Sequence, residues 1–142
     1  MTQLISRAVR EIILANDPRF NTLVDYLLSR KIDNIYPMDS LLSMHPEYEG
    51  EDYQSYCYGL YVYDKKRIFI NHQLILRHKQ SIAATIIHEL KHAENDILGI
   101  LADPVHDEIS AIQEENFFQH RDIAKCRVAT RSMYNKVKED LF

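Results

Sequence analysis

The residues with the clearest chemical potential are two histidines and a glutamate in the run His88-Glu89-Leu90-Lys91-His92. In an α-helix, residues four apart are separated by about 40° around the axis and roughly 6 Å along it, so His88 and His92 project from one face. Two imidazoles placed in this way can bind one zinc ion at about 2.0–2.1 Å each. Glu89 lies about 100° around the helix from His88, so its carboxylate suits a general base acting on a metal-activated water.

The helix that carries this motif has its apolar face elsewhere. With His88 set at 0° and about 100° added per residue, His92 lies near 40°, while the apolar residues lie between about 120° and 200°. These apolar residues are Ile82, Ile86, Leu90, Ala93 and Ile97. We therefore expect the two histidines to line a cleft or the surface rather than the core. A surface pair without metal is the alternative, because the five-residue motif alone also arises by chance.

A third ligand would distinguish a metal site from a coincidence. The candidates on or beside the next helical segment are His106, Asp107, Glu108, Glu114, Glu115 and His120. If the segment from Gly99 to Asp103 makes the two helices pack antiparallel, His92 lies about 10 Å before the turn and Glu108 about 8 Å after it. Glu108 is the predicted third ligand. His106 competes with it, because three histidines also form a common catalytic zinc set.

The surroundings of Glu108 lead to two further predictions. An apolar stripe borders it and predicts a partly sheltered carboxylate; the stripe consists of Val105, Ile109 and Ile112. Glu115 follows seven residues later on nearly the same face, level with His88, and is predicted to orient a ligand histidine through its other ring nitrogen. Glu114 and Asp96 are the alternatives for that role.

The elements that must position these residues follow from local patterns. Residues 3–16 and 18–31 carry apolar residues at helical spacing and predict two scaffold helices. Residues 32–52 contain two prolines, a glycine and an acidic cluster, which indicates an irregular solvated loop; a lid or a bias toward basic substrates is the alternative. Residues 56–63 and 67–70 are aromatic and β-branched, with a turn between them, and predict a β-hairpin.

Two helices are predicted after the hairpin. The first runs from about Ser81 to Leu98 and ends near Gly99, and the second starts at Asp103-Pro104 and continues to about His120 or beyond. The tail over residues 121–142 is predicted to be helical and could cover the cleft or support a dimer. The predicted fold class is therefore α+β.

Length and composition narrow the classes of function. The 142 residues, 46% hydrophobic and 27% charged, indicate one globular domain over residues 1–142, and the net charge of -4 does not indicate a nucleic-acid partner. We find no membrane-spanning stretch and no signal peptide. Cys57 and Cys126 lack metal-type spacing, which favours reduced thiols in a cytoplasmic protein over a disulfide. Export without a cleavable signal and the oligomeric state stay open.

The run Ala83-Ala-Thr-Ile-Ile-His-Glu-Leu-Lys-His-Ala93, followed by Asp107-Glu-Ile-Ser-Ala111, resembles the gluzincin type of zinc metallopeptidase. In that type, His-Glu-x-x-His is completed by a Glu in a Glu-x-x-Ala setting on the next helix. The minigluzincins are the closest in size, and the resemblance covers roughly residues 56–120. It implies a small zincin-like domain in which the edge strand of the hairpin holds extended substrate. By position, the implied zinc ligands are His88, His92 and Glu108, with Glu89 as catalytic base.

Some residues depart from this family or from its neighbours. Lys91 and Glu94 stand where gluzincins usually have uncharged residues, but both face away from the predicted metal face. The metzincin pattern is disfavoured because it requires Gly and His where this chain has Asn95 and Leu98. A SprT-like site would use His106 as third ligand, but the Gly-His-Gly setting of that family is missing.

Two functions follow as hypotheses. The first is zinc-dependent hydrolysis of peptide or protein substrates, in which a zinc-activated water attacks the peptide bond and Glu89 acts as general base. The second is a zinc-binding regulatory or partner-binding module with little or no hydrolysis. A domain without metal is a third hypothesis, and it requires both the five-residue motif and the position of Glu108 opposite it to be coincidences. Nine tyrosines and several histidines leave the donor for the oxyanion open.

Overall fold

The computed structural model describes residues 2–100 and 103–127, with side chains described as far as Gln119. The predicted tail beyond residue 127 and the side chain of Cys126 lie outside these described residues. The assignment of residues 1–142 to one domain stays a prediction.

The two predicted scaffold helices are present as α1 (Gln3–Ala15) and α2 (Pro18–Leu28). The Thr2 side chain accepts a hydrogen bond from the Ile5 amide and begins α1, while Asp17 caps α2 just before Pro18. Both helices pack against the helix that carries the His-Glu motif. Their buried residues are those of the predicted apolar stripes: Ile5, Ala8, Val9 and Ile12, then Phe20, Leu23, Val24 and Leu27.

A three-stranded mixed sheet contains the predicted hairpin and one strand that was not predicted. The order is β1 (Asn34–Pro37), β3 (Arg67–Ile70), β2 (Gly59–Val62); β1 is parallel to β3 and β2 is antiparallel to it. The prediction of an irregular loop over residues 32–52 was therefore wrong in part. A four-residue strand with one fully buried side chain, Ile35, is too short to show alternation, and its pairing partner is distant in sequence.

Short helices complete the segments around the sheet. They are α3 (Leu41–Met44), α4 (Tyr53–Tyr56) and α5 (His72–Arg77), with single 3₁₀ turns at Met38–Ser40 and Pro46–Tyr48. The acidic cluster of the predicted loop lies on exposed positions in this region, namely Glu47, Glu49, Glu51 and Asp52.

The two helices that carry the site begin and end close to the predicted positions. Helix α6 (Ile82–Leu98) is capped by Ser81, whose side chain accepts from the Ala84 amide, and ends at Gly99 with φ +66°. Helix α7 (Pro104–Arg127) follows Asp103, which accepts a 2.8 Å hydrogen bond from the His106 amide. The two helices pack against each other along their length.

The buried face of α6 is the predicted apolar one, whereas that of α7 is different. On α6, Ile86, Leu90 and Ala93 are fully buried. On α7, the predicted stripe of Val105, Ile109 and Ile112 is exposed. The helix instead buries Asp107, Ala111, Glu114 and Phe118. The expectation that an apolar stripe shelters Glu108 was wrong, because the stripe residues are exposed and the Glu108 side chain is 51% exposed.

The architecture is α+β, with helices packed against a small mixed sheet, as the sequence predicted. Among the described residues, no helix is both long and apolar enough to cross a lipid bilayer.

Candidate metal centre

Three side chains from α6 and α7 converge at one point. The Nε2 atoms of His88 and His92 are 3.3 Å apart. The two oxygens of Glu108 lie 2.9 Å from His88 Nε2 and 3.1 Å from His92 Nε2. Two donor atoms that each lie about 2.05 Å from a tetrahedral zinc ion are about 3.3 Å apart, so this spacing fits a shared ion.

Each histidine is also held through its other ring nitrogen. His88 Nδ1 is 2.8 Å from Glu115 Oε1, and His92 Nδ1 is 2.9 Å from Asp107 Oδ2. A carboxylate at Nδ1 accepts the Nδ1 proton and therefore directs the Nε2 lone pair toward the centre. Contacts of this kind fix both the tautomer and the ring orientation of metal-binding histidines.

The groups at this point can share a cation. When both Nδ1 atoms donate to their carboxylates, the two Nε2 lone pairs and the carboxylate of Glu108 face one another as acceptors. A proton on either histidine satisfies such a set, as does a metal ion, and the nitrogen and oxygen donors suit zinc. Consistent with this field, burial lowers the pKa of His88, but the carboxylates of Glu115, Glu89 and Glu108 outweigh burial and raise the pKa overall.

Glu89 lies beside this point and is nearly enclosed. Its side chain is 7% exposed, and its Oε1 is 3.9 Å from His88 Nε2. Burial raises the pKa of Glu89 to about 7, while the two histidines oppose the rise. A carboxylate with a pKa near neutrality is well matched to accept and return a proton at physiological pH.

Gly59 of β2 makes room for Glu89. A Cβ atom built at Gly59 would lie 3.0 Å from Glu89 Cγ and 3.1 Å from its Oε1. Such a contact is too close for a side chain of the buried Glu89 to keep its position. Strand β2 and the carboxylate of Glu89 are therefore in direct contact.

The group opens into a cleft of about 820 Å³ between β2, α6 and the start of α7. One wall is formed by Cys57 and the residues of β2 and its flanks, including Tyr58, Leu60, Tyr61 and Tyr63. Asp103, Pro104 and Glu115 also line the cleft. The histidines thus line a cleft, as the helix pattern predicted.

Asp107 has a supporting role that sequence reasoning missed. It was considered only as a third ligand, but its oxygens accept from Tyr63 Oη at 2.8 Å and from Asn95 Nδ2 at 2.9 Å, besides its contact with His92. Burial acts to raise the pKa of Asp107, and these three donors lower it to a net decrease. The carboxylate is therefore a fixed anion behind His92.

The remaining candidates lie away from the centre. The His106 side chain is 72% exposed, and its Nδ1 is 2.5 Å from Asp103 Oδ2. Glu114 pairs with Arg19, and Asp96 binds Lys66 and Tyr61. The side chain of His120 lies outside the described residues. Of the residues weighed as supporting groups, only Glu115 lies against a ligand histidine, and Glu108 rather than His106 faces both.

Comparison with known proteins adds no relative to this picture. No protein-family model, no curated protein and no solved structure matches the chain.

Proposed function

We propose that this chain is a zinc-dependent metalloendopeptidase of the gluzincin type with a small zincin-like fold. The observation that carries the proposal is the convergence of His88 Nε2, His92 Nε2 and the Glu108 carboxylate within 3.3 Å of one another, beside the buried Glu89. A donor set of this composition, next to a carboxylate able to exchange a proton, matches the arrangement that hydrolytic zinc sites use.

The roles of the protein groups follow from their positions. When bound, zinc supplies a Lewis acid that polarises the scissile carbonyl and acidifies a water molecule. Glu89 takes the proton of the attacking water and returns it to the leaving amine, because its raised pKa of about 7 lets it hold the proton between the two steps. Glu115 and Asp107 hold His88 and His92 in the orientation that the ligands need.

The free edge of β2 supports a peptide as substrate. Asn71 N donates to Tyr58 O at 2.8 Å, and Gly59 is opposite Ile70 in the antiparallel register. Because hydrogen-bonded and non-hydrogen-bonded pairs alternate along such a ladder, Gly59 and Tyr61 point their backbone N–H and C=O groups away from β3. In the described part of the chain, no strand pairs with this edge.

An extended peptide can use these groups as a further strand. Pairing with Gly59 and Tyr61 provides sequence-independent main-chain hydrogen bonds. The carboxylate of Glu89 lies directly against Gly59, so a peptide held along this edge has its backbone next to the base and the ligand set. Main-chain recognition also fits cleavage within a chain rather than at an end.

Zinc content and hydrolysis of the Glu89→Gln variant test the proposal. Wild-type protein is expected to carry about one zinc per chain, measured by elemental mass spectrometry, and His92→Ala to lose it. Glu89→Gln is expected to keep zinc and to cut a broad peptide library at least about 100-fold more slowly, because proton transfer is removed while the ligands stay. Glu49→Gln is the matched control, since Glu49 is exposed and is not part of the cleft wall.

The outcomes separate the competing functions. Cleavage by Glu89→Gln at the wild-type rate would contradict the mechanism. Absence of zinc from both the wild type and Glu89→Gln after incubation with the metal would contradict the proposed zinc site. Zinc bound to wild-type protein without any cleavage of the library would support a zinc-binding regulatory module instead.

A further inference from the structure

The cleft wall is rich in negative charge. Among the described residues that line it, five are carboxylates and none is Lys or Arg. The carboxylates are Glu89, Asp103, Asp107, Glu108 and Glu115. The two positive charges of a zinc ion do not neutralise this set, and the cleft stays net negative even when Glu89 is protonated.

Three basic side chains on the surrounding elements are bound by carboxylates outside the cleft. Lys66 on the hairpin is 2.5 Å from Asp96, and Lys91 on the motif helix is 2.8 Å from Glu94. Arg19, at the start of α2, pairs with Glu114 on the buried face of α7. Each of these cations is held by a carboxylate that does not line the cleft. The field of the cleft carboxylates is therefore not cancelled by these nearby groups.

Two of the five carboxylates face the space that a substrate would enter. Asp107 already accepts from three donors, and Glu108 and Glu89 belong to the reaction centre. The side chains of Asp103 and Glu115 are 45% and 27% exposed and each has a histidine as its hydrogen-bond partner. Both line the same cleft as β2, so the side chains of an extended peptide paired with β2 enter a space that these two carboxylates border.

We propose that the cleft selects extended peptides by charge, favouring Lys or Arg near the scissile bond and disfavouring Asp or Glu there. This inference rests on the proposed peptidase function and adds the class of substrate. Within a cleft with low-dielectric walls, several carboxylates about 5–10 Å from a substrate charge act together, so a charge reversal changes binding by a large factor. The acidic loop over residues 47–52 is not needed for this effect, because none of its residues lines the cleft.

Three quenched fluorescent peptides with one neutral core test this selection. They differ only in carrying two Lys, two Gln or two Glu around the core. We expect kcat/KM of the zinc-loaded protein to fall about tenfold from Lys to Gln and about tenfold again from Gln to Glu at about 20 mM salt. At about 0.5 M salt the differences should shrink to about twofold, because screening acts within a few ångströms. Fluorescence anisotropy with the Glu89→Gln variant should give the same order of affinities without turnover.

A matched pair of double variants locates the charges responsible. Asp103→Asn with Glu115→Gln removes the two partly exposed cleft charges that lie outside the reaction centre. Asn can still cap α7, and the amide oxygen of Gln can still accept from His88 Nδ1. Asp25→Asn with Glu49→Gln changes the net charge equally at exposed positions outside the cleft. The Lys-to-Glu preference should fall at least about fivefold in the first double variant and stay unchanged in the second. If the double variant binds no zinc, the Lys-to-Glu preference is measured with Asp103→Asn alone.

The results distinguish this inference from the function on which it rests. Equal cleavage and equal binding of all three peptides, or an equal loss of preference in both double variants, would overturn the charge selection and leave the hydrolysis in place. Cleavage of none of the peptides by zinc-loaded protein would overturn the peptidase, while the anisotropy series would still test the charge preference.

Discussion

The amino-terminal helices and helix α7 all pack on α6, but α7 buries carboxylates beside its apolar residues. On α1 and α2 the buried residues are apolar, from Ile5 to Leu27, and a chain of nonpolar contacts runs from them into the core. On α7 the inner face includes two carboxylates, Asp107 and Glu114, while Val105 is 66% exposed. The first pair of helices is held by apolar packing, and α7 is held by apolar packing of Phe118 together with hydrogen bonds of Asp107 and Glu114.

Because of this difference, we expect α1 and α2 to contribute mainly to the stability of the fold and the inner face of α7 to contribute mainly to the proposed metal site. A buried carboxylate costs free energy unless donors surround it, and Asp107 has three of them. Asp107 holds the Nδ1 atom of His92, and Glu114 pairs with Arg19 of α2. Changes in α1 and α2 should therefore affect folding, and changes on the inner face of α7 should affect the site.

The largest expected effect comes from replacing an isoleucine by alanine, once in α1 and once in α7. Ile12→Ala in α1 should lower the free energy of unfolding by about 2–5 kcal/mol, because Ile12 is fully buried. Ile109→Ala in α7 should lower it by less than about 1 kcal/mol, because Ile109 is largely exposed. Urea denaturation of the zinc-free proteins measures both values. Equal losses would contradict the contrast, as would a change in zinc affinity of folded Ile12→Ala.

The pH dependence of stability is expected to be next in size. The pKa of Glu89 is about 7 in the folded protein and near its ordinary 4.5 when unfolded, so the folded state binds more protons between these values. Zinc-free wild type should therefore lose up to about 3 kcal/mol relative to Glu89→Gln as the pH rises from about 4.5 to 7. Parallel denaturation curves across this range measure the difference. A difference in the free energy of unfolding between the two proteins that stays constant across this pH range would show that Glu89 keeps an ordinary pKa.

Replacing the carboxylate that supports each histidine should weaken zinc binding by a different factor. Asp107→Asn should weaken zinc binding about 10–100-fold, because the buried amide places a donor against the donors of His92, Tyr63 or Asn95. Glu115→Gln should weaken it less, by roughly 2–10-fold, because Glu115 is more exposed and has one such contact. Competition with a chromophoric chelator gives both constants. The reverse order would contradict the assignment of the stronger support to Asp107.

The smallest effect concerns a hydroxyl two contacts away from the centre. Tyr63→Phe removes one of the donors of Asp107, so it should reduce zinc affinity by about 2–10-fold and raise the pKa of Asp107. Tyr61→Phe is the matched control, since its hydroxyl donates to Asp96 instead. The visible spectrum of the cobalt-substituted proteins reports the ligand field directly. An unchanged spectrum and affinity in Tyr63→Phe would show that Asn95 and His92 hold Asp107 without it.

Sequence patterns were informative where the geometry is local. The spacing of His88 and His92 and one short connection between two helices were enough to put Glu108 opposite His92, and the structure has these groups 3.1 Å apart. Helix caps at Ser81 and Gly99 follow the same local rules. The role of these residues as zinc ligands stays a prediction.

Patterns failed where a position depends on distant partners. Strand β1 is defined by its pairing with β3, and the inward turn of Asp107 depends on Tyr63 and Asn95, which lie on other elements. The apolar stripe around Ile109 was expected to shelter Glu108, but these residues are exposed, and α7 turns Asp107 and Glu114 inward together with Ala111 and Phe118. A signal for Asp107 was present only as a carboxylate beside Glu108, and its contacts require the tertiary structure.

Gly59 lies so close to Glu89 that a single added carbon atom at Gly59 would crowd the Glu89 side chain. The space that a methyl group would need at this position is occupied by the carboxylate of Glu89, at 3.0 to 3.2 Å. In the proposed peptidase, Gly59→Ala would shift the proton acceptor by a few tenths of an ångström while leaving the predicted zinc ligands and the outer backbone edge of the strand unchanged. We expect this variant to capture the same peptides and to release them uncut, which makes Gly59→Ala a direct route to a trap for identifying natural substrates.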